Sequence, residues 1–184
     1  MIRTIRPWQI FERLQENEIR LLIPTRRSSE TRSVMMLETA LLVAVARKAR
    51  VQTILEIGTS HGYTTLHLAR NTDARITTVD VVEPGVRVYR GEPEESRITE
   101  LCQDSKTISI RNYEMVFIDG DHSIEGVRED TKLVFQCSPL VIAWHDYGNP
   151  IEPEVKPYLD KVSEAYELYH VEDSWLCFWF REGL

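Results

Sequence analysis

The segment Thr53-Ile54-Leu55-Glu56-Ile57-Gly58-Thr59-Ser60-His61-Gly62-Tyr63 decides how this chain folds. Residues Thr53–Ile57 form a short, mainly apolar run, the pattern of a buried strand. Gly58 and Gly62 straddle a turn, and residues 63–70 read as a helix. A glycine at 58 lets the backbone bend sharply and lets a ligand approach with no Cβ in the way. A helix that opens near Tyr63 presents unpaired N–H groups at its start. The spacing is G-x-x-x-G rather than G-x-G-x-x-G, because Ser60 stands where the second glycine would be. That missing glycine is the one that lets backbone approach a pyrophosphate. Glu56 beside the turn repels phosphates and favours a cationic ligand.

Outward from this unit, short apolar runs alternate with helical stretches. Arg75–Asp80, Ile98–Cys102, Met115–Ile118 and residues 140–144 read as further strands, and residues 122–136 and 158–165 as helices. Residues 167–171 and 175–180 read as two late strands joined by Glu172-Asp173-Ser174, a connection so tight that the pair must be antiparallel. Continuous apolar strands alternating with helices predict a mostly parallel, doubly wound α/β sheet with helices on both faces. Upstream, residues 8–17 and 33–48 read as helices, the second with Val34, Leu37, Leu41 and Val45 on an apolar face that packs on the core. Residues 81–96 carry Pro84, Gly85, Gly91 and Pro93, which interrupt any helix there.

In such sheets ligands bind beyond the carboxyl ends of the strands. Asp80 ends the second of these strands and suits the two hydroxyls of a ribose. Asp104-Ser105 follows the third and suits an exocyclic amine such as that of adenine. Asp119-Gly120-Asp121-His122 follows the fourth, and His145-Asp146 the fifth. If those strands are neighbours, Asp119, His145 and Asp146 converge as ligands for a hard divalent ion such as Mg2+ or as a proton-transfer group. Asp121 and His122 also suit the N-cap and first turn of the following helix.

Taken together, Ile54-Leu55-Glu56-Ile57-Gly58 with Gly62, then Asp80, then Phe117-Ile118-Asp119-Gly120-Asp121-His122-Ser123-Ile124-Glu125-Gly126-Val127, then Ile142-Ala143-Trp144-His145-Asp146-Tyr147, resemble the class I S-adenosylmethionine-dependent methyltransferases. The branch with the F-I-D-G-D-H-S-x-E-G-V segment, which includes sugar and macrolide O-methyltransferases and cephalosporin-hydroxylase-like proteins, is the most similar. The resemblance spans roughly residues 50–150. It implies a Rossmann-like, seven-stranded sheet with an antiparallel last strand. It implies a methyltransferase domain over residues 51–184, with residues 1–50 as a helical lid or substrate wall of the same domain. It also implies that Glu56 and Gly58 face the methionine part of S-adenosylmethionine, with Thr59, Ser60, Gly62, Tyr63 and Asp119 among the residues that bind the cofactor. Asp80 then holds the ribose, and Asp104 and Ser105 meet the adenine. In metal-using members the positions of Asp119, His145 and Asp146 bind Mg2+, although a histidine at the first place of the last pair departs from the pattern.

The expected reaction moves the methyl group to an oxygen nucleophile of a small molecule. A base removes the acceptor proton. His145 is the first candidate because imidazole titrates near neutral pH; His122 follows, with Asp119 beside them, and His61 is third. His67 and His170 read as structural. Trp8, Trp144, Tyr147 and Trp175 are candidates for an acceptor pocket or for the core. Two other readings share the sheet: a cofactor-binding module without chemistry, and a nicotinamide-dependent oxidoreductase, which the missing G-x-G-x-x-G disfavours. The net charge of −7 argues against a general nucleic-acid binder, and no N-P-P-Y-like segment follows the fourth strand. The apolar run Ala40–Ala46 is too short to span a bilayer. The three cysteines, Cys102, Cys137 and Cys177, form no C-x-x-C pair and are expected to be reduced core thiols. A soluble cytoplasmic enzyme is expected, with a homodimer as the resemblance suggests.

Overall fold

The computed structural model describes residues 1–12, 19–21, 34–82, 85–109 and 112–183. In chain order the elements are β1 (Ile2–Ile5), α1 (Pro7–Phe11), α2 (Met36–Lys48), β2 (Thr53–Ile57), α3 (Tyr63–Asn71), β3 (Arg75–Asp80), β4 (Ile98–Cys102), β5 (Met115–Ile118), α4 (Ile124–Gln136), β6 (Val141–Trp144), α5 (Val155–Val162), β7 (Leu168–Val171) and β8 (Cys177–Phe180). One sheet holds all the strands in the order β1-β7-β8-β6-β5-β2-β3-β4. Every pairing is parallel except those of β8, which runs against both β6 and β7.

Alternation of side chains across the strands separates two cores. On one face Ile54, Ile76, Phe117, Ala143 and Phe178 pack with Leu41, Leu42 and Val45 of α2 and Leu68 of α3. On the other, Leu55, Ile57, Val79, Ile118 and Trp144 pack with Val127 and Val134 of α4 and Leu159 of α5. Residues 41–46 of α2 are all buried, so this helix is covered around most of its circumference, not along a single stripe. Val34 and Leu37 lie outside that set; Leu37 is exposed. The described part of the first expected helix is α1, which ends at Phe11; residues 13–17 lie outside the described residues.

The doubly wound α/β class and the late antiparallel pair are as the sequence predicts. The strand count is corrected from seven to eight. Strands β2–β8 are the seven expected, and β1 adds a parallel edge strand by pairing Ile2–Ile5 with Leu168–Val171. Four residues, Ile-Arg-Thr-Ile, are too few for periodicity to reveal, and only β7 gives them a partner. Cys102 is a second correction: it is exposed, while Cys137 and Cys177 are buried.

No α-helix occurs among the described residues between β3 and β4; a short 3-10 turn spans Pro93–Arg97. The chain there buttresses the glycine turn. Buried Arg87 donates to the Ser60 carbonyl and pairs with Glu100 at 2.5 Å. Tyr89 packs so closely on Gly62 that a Cβ there would lie 2.5 Å from its ring. Phe178 on β8 is fully buried between strands and α2. Phe178→Ala is expected to cost about 3–5 kcal/mol, read as a lower urea midpoint with an unchanged m-value.

Candidate functional site

Sheet register sets the site. Ile57 is level with Val79 on one side and Ile118 on the other, and Ile118 is level with Trp144. The next residue of each strand, Asp80, Gly58, Asp119 and His145, therefore stands in one row at the carboxyl rim. Backbone hydrogen bonds extend the row past the strands: Gly58 N–H to the Val79 carbonyl (2.8 Å), Asp119 N–H to that of Ile57 (2.8 Å) and His145 N–H to that of Ile118 (3.0 Å). A cleft of about 630 Å³ opens over this row, within the usual size of small-ligand sites. Its lining includes Gly58, Ser60, His61, Asp80, Asp104, Ser105, Asp119, Asp121, His122, Asp130, His145 and Asp146.

Gly58 takes φ +96°, and a Cβ on it would lie 1.9 Å from the Asp119 carbonyl oxygen. Only glycine lets the turn after β2 come this close to the end of β5. Asp80 ties the turn down from the other side. Its Oδ2 accepts from Thr59 N–H (3.1 Å) and Ser60 N–H (2.8 Å), and its Oδ1 accepts from Val82 N–H (2.9 Å). A carboxylate has roughly four acceptor positions, so Asp80 organises the turn and keeps acceptor capacity for a ligand.

Glu56 is placed differently from the expectation. Its side chain is fully buried beneath the turn and does not line the cleft. Oε2 accepts from the hydroxyls of Thr65 and Thr78 (2.7 Å to Thr78), while Oε1 has no partner among the described residues. Side-chain alternation is the reason: with Ile57 on one face, Glu56 must point into the other. Thr59 bonds Thr78 (2.6 Å) in the same buried group. Thr59, Gly62 and Tyr63 also lie off the cleft lining. Asp104 caps the 3-10 turn Ser105–Thr107 through Lys106 N–H, and the Ser105 hydroxyl donates to Asp130 (2.5 Å). Asp130 is buried, and burial pushes its carboxyl up.

At the other end of the row the structure brings Asp119, His145 and Asp146 together. His145 Nδ1 lies 3.1 Å from Asp119 Oδ1 and 3.2 Å from Asp146 Oδ1. His145 Nε2 faces Glu38 Oε2 at 3.1 Å. Burial opposes a charge on His145, but the charge of Asp119 and the hydrogen bonds to Asp119, Asp146 and Glu38 outweigh it and raise its pKa well above the ordinary range. Both ring nitrogens of His145, the first candidate for the base, thus face carboxylates. His122 also reaches the cluster, with Nδ1 2.7 Å from Asp146 Oδ2. That bond raises the His122 pKa against partial burial. Asp146 is held in the left-handed region (φ 62°), and Asn149 donates to it at 2.6 Å. Burial works against the Asp146 charge, yet the bonds from His122 and His145 hold its carboxyl well below the usual range.

Ser123, not Asp121, caps α4, accepting from Gly126 N–H (3.1 Å); Asp121 accepts from Ser123 N–H (3.0 Å), which lowers its pKa. His67 faces the Tyr63 carbonyl and His170 that of Ser174, both structural contacts. Trp144 donates to Thr131 (2.9 Å) and Tyr147 to Asp160 (2.9 Å), Trp8 is exposed, and none of the four candidate aromatics lines the cleft. Trp175 sets its ring edge-on to His145. Sequence reasoning missed Glu38, Arg87 and Asp130. A glutamate inside an apolar helical stretch, as at 38, was the available signal.

The lining fits the groups that the resemblance implies. Six aspartates against one lysine make the cleft suited to a cationic ligand. Asp119, His145 and Asp146 each offer one ligand atom, and these atoms lie within 4.8 Å of one another, close enough to share one ion. One nitrogen among two carboxylates departs from the all-oxygen shell that Mg2+ prefers.

No protein-family model matches the chain, and no curated protein matches its sequence. Solved structures do match. A methyltransferase from Geobacter sulfurreducens is 15% identical with a TM-score of 0.67, covering 87% of this chain and 91% of that one. A methyltransferase from Podospora anserina with SAH bound is 18% identical with a TM-score of 0.61, covering 85% and 83%. An O-methyltransferase from Bacillus cereus in complex with SAH is 16% identical with a TM-score of 0.54, covering 81% and 83%. The chain therefore shares the fold of these methyltransferases, as the sequence resemblance implied.

Burial pushes the Glu56 carboxyl up to about 7, against the hydrogen bonds from Thr65 and Thr78 that pull it down. Its folded pKa lies above the unfolded value. The stability it contributes is thus full below pH 4.5 and is lost as pH rises towards 7. Glu56→Gln is expected to flatten that slope by on the order of 2–3 kcal/mol across the window, measured as urea unfolding at a series of pH values.

Proposed function

We propose that this protein is an S-adenosylmethionine-dependent methyltransferase that acts on an oxygen nucleophile of a small molecule. The observation that carries this reading is the row Asp80–Gly58–Asp119 at the carboxyl rim. It pairs a glycine turn with an acid at the next strand end and lies under an acidic cleft. In this reading Asp80 accepts from a ribose while holding the turn, Gly58 and Ser60 meet the methionine portion, and Asp104 meets the adenine; the place of all four on the cleft lining supports it. Val81 and Val82 form an exposed apolar edge of the same cleft.

When bound, the cofactor supplies a methyl group that leaves sulfur for the acceptor oxygen, with the S–C electron pair remaining on sulfur. The protein's part is alignment and proton removal. His122 is the base in this reading. Asp146 accepts its Nδ1–H, which leaves Nε2 to take the hydroxyl proton, the arrangement of an Asp–His pair. Asp119, His145 and Asp146 would hold a divalent cation, whose chemistry is to lower the pKa of a hydroxyl bound to it. The start of α2 and the residues just before it act as a wall of the site in this reading, since Val34 lines the cleft and Glu38 reaches His145. Among the described residues no helix is long and apolar enough to cross a membrane. A cytoplasmic setting and a homodimer belong to this proposal as well.

Calorimetric titration with S-adenosylmethionine, SAH and NAD+ tests it. Both sulfur ligands are expected to bind saturably, and Asp80→Ala to weaken them on the order of tenfold or more, the worth of lost charge-assisted hydrogen bonds. Binding of NAD+ alone would move the protein to the oxidoreductase class. Binding of none would leave a module that keeps the fold without the cofactor.

A further inference from the structure

Ser60 stands where G-x-G-x-x-G has its second glycine, and it takes φ 47°, in the left-handed region that a Cβ disfavours. Its peptide groups are gripped at both ends. Ser60 N–H is given to Asp80 Oδ2 (2.8 Å), and the Ser60 carbonyl accepts from Arg87 Nη1. Val82, two residues beyond Asp80, is gripped by the same two side chains. Its N–H is given to Asp80 Oδ1 (2.9 Å), and its carbonyl accepts from Arg87 Nη2 (3.4 Å). One acid thus takes both N–H groups and one cation serves both carbonyls, and both gripped residues line the cleft.

Arg87 is itself fixed. It is buried, and its Nε donates to Glu100 Oε1 on β4 (2.5 Å). The two residues after it follow the same turn. Val88 N–H donates to the His61 carbonyl (2.9 Å), and the Tyr89 ring packs on Gly62. Residues 87–89 therefore run alongside residues 60–62. A guanidinium suits this place, because its donors form a rigid fork that reaches a carboxylate and two carbonyls at once.

We propose that Arg87 is a positioning residue for the cofactor: together with Asp80 it holds Ser60 in the left-handed conformation and so keeps the glycine turn in the form that receives S-adenosylmethionine. The inference rests on the reading of the cleft as the cofactor site. Arg87 is not on the cleft lining and acts through Ser60 and Val82. The physical basis is population. A site that is competent for only a fraction of the time binds more weakly by that fraction. A serine released from its clamp leaves the left-handed region more readily than a glycine does.

The test is a double-mutant cycle on the full chain, with SAH affinity read by calorimetry and folding checked by urea unfolding. Arg87→Met removes every donor, while Glu100 keeps Arg90 as a partner (2.5 Å). It should weaken SAH by about tenfold or more. The same substitution made beside Ser60→Gly should lose at least about fivefold less affinity, because glycine needs no clamp to hold a positive φ. An arginine that merely props the segment between β3 and β4 through Glu100 predicts equal losses in both backgrounds, and that outcome overturns the proposal. Arg87→Met removes a buried charge and risks misfolding, so Arg87→Lys is the second variant. It keeps a charge beside Glu100, but a single ammonium cannot serve the carboxylate and both carbonyls, so SAH should weaken by about threefold or more. That loss too should shrink beside Ser60→Gly. Wild-type affinity in either arginine variant overturns the positioning role and leaves the cofactor reading standing. A wild-type protein that binds no SAH removes the cofactor reading and the positioning role with it.

Discussion

Contact between the Gly58 backbone and the Asp119 carbonyl is the constraint on which the site depends. The turn after β2 and the end of β5 are pressed together until no Cβ fits between them. That closeness keeps the strand ends level, so that Asp80, Gly58, Asp119 and His145 form one row instead of a staggered edge. Backbone groups at such a rim must find partners. Here the Asp80 carboxylate takes two N–H groups of the glycine turn, and Arg87 takes the Ser60 carbonyl. The turn is therefore held by the last residue of β3 and by Arg87 from the irregular segment between β3 and β4. An irregular stretch does structural work there that the sequence alone suggests only as an interruption.

Charge follows from the same convergence. Strand ends that meet in a row bring their acids into a shared, partly buried space. Two imidazoles enter it and bind the carboxylates that would otherwise repel one another. The cost of burying Asp146 is offset by two ring contacts and the amide of Asn149. Glu38 completes the group from outside, so the buried helix α2 belongs to the electrostatics of the cleft as well as to the core. This explains why an N-terminal segment with no readable motif matters to a site built at the far ends of the strands.

Much of the sheet was legible because its strands are short, largely apolar runs set between turn and helical stretches. Four of them, Thr53–Ile57, Arg75–Asp80, Ile98–Cys102 and Met115–Ile118, begin and end where the pattern places them. The edge strand β1 was not legible, since its pairing is with residues more than 160 positions later. The site was legible to the same degree. Rim position could be read for Asp80, Asp119, His145 and Asp146, because a strand end fixes it. Side-chain direction was misread for Glu56, which alternation turns into the interior, where Thr65 and Thr78 hold it.

The sequence by itself determined the class of sheet, the glycine turn and which acids stand at strand ends, since these depend on local pattern and on the two-residue period of a strand. Tertiary structure decided the strand order around β8, the added edge strand, the burial of Glu56 and the clamp of Glu38 on His145. Those depend on distances between residues far apart in the chain. A hydrogen bond between positions 38 and 145 leaves no periodic trace in either neighbourhood, so only packing of α2 onto the sheet reveals it.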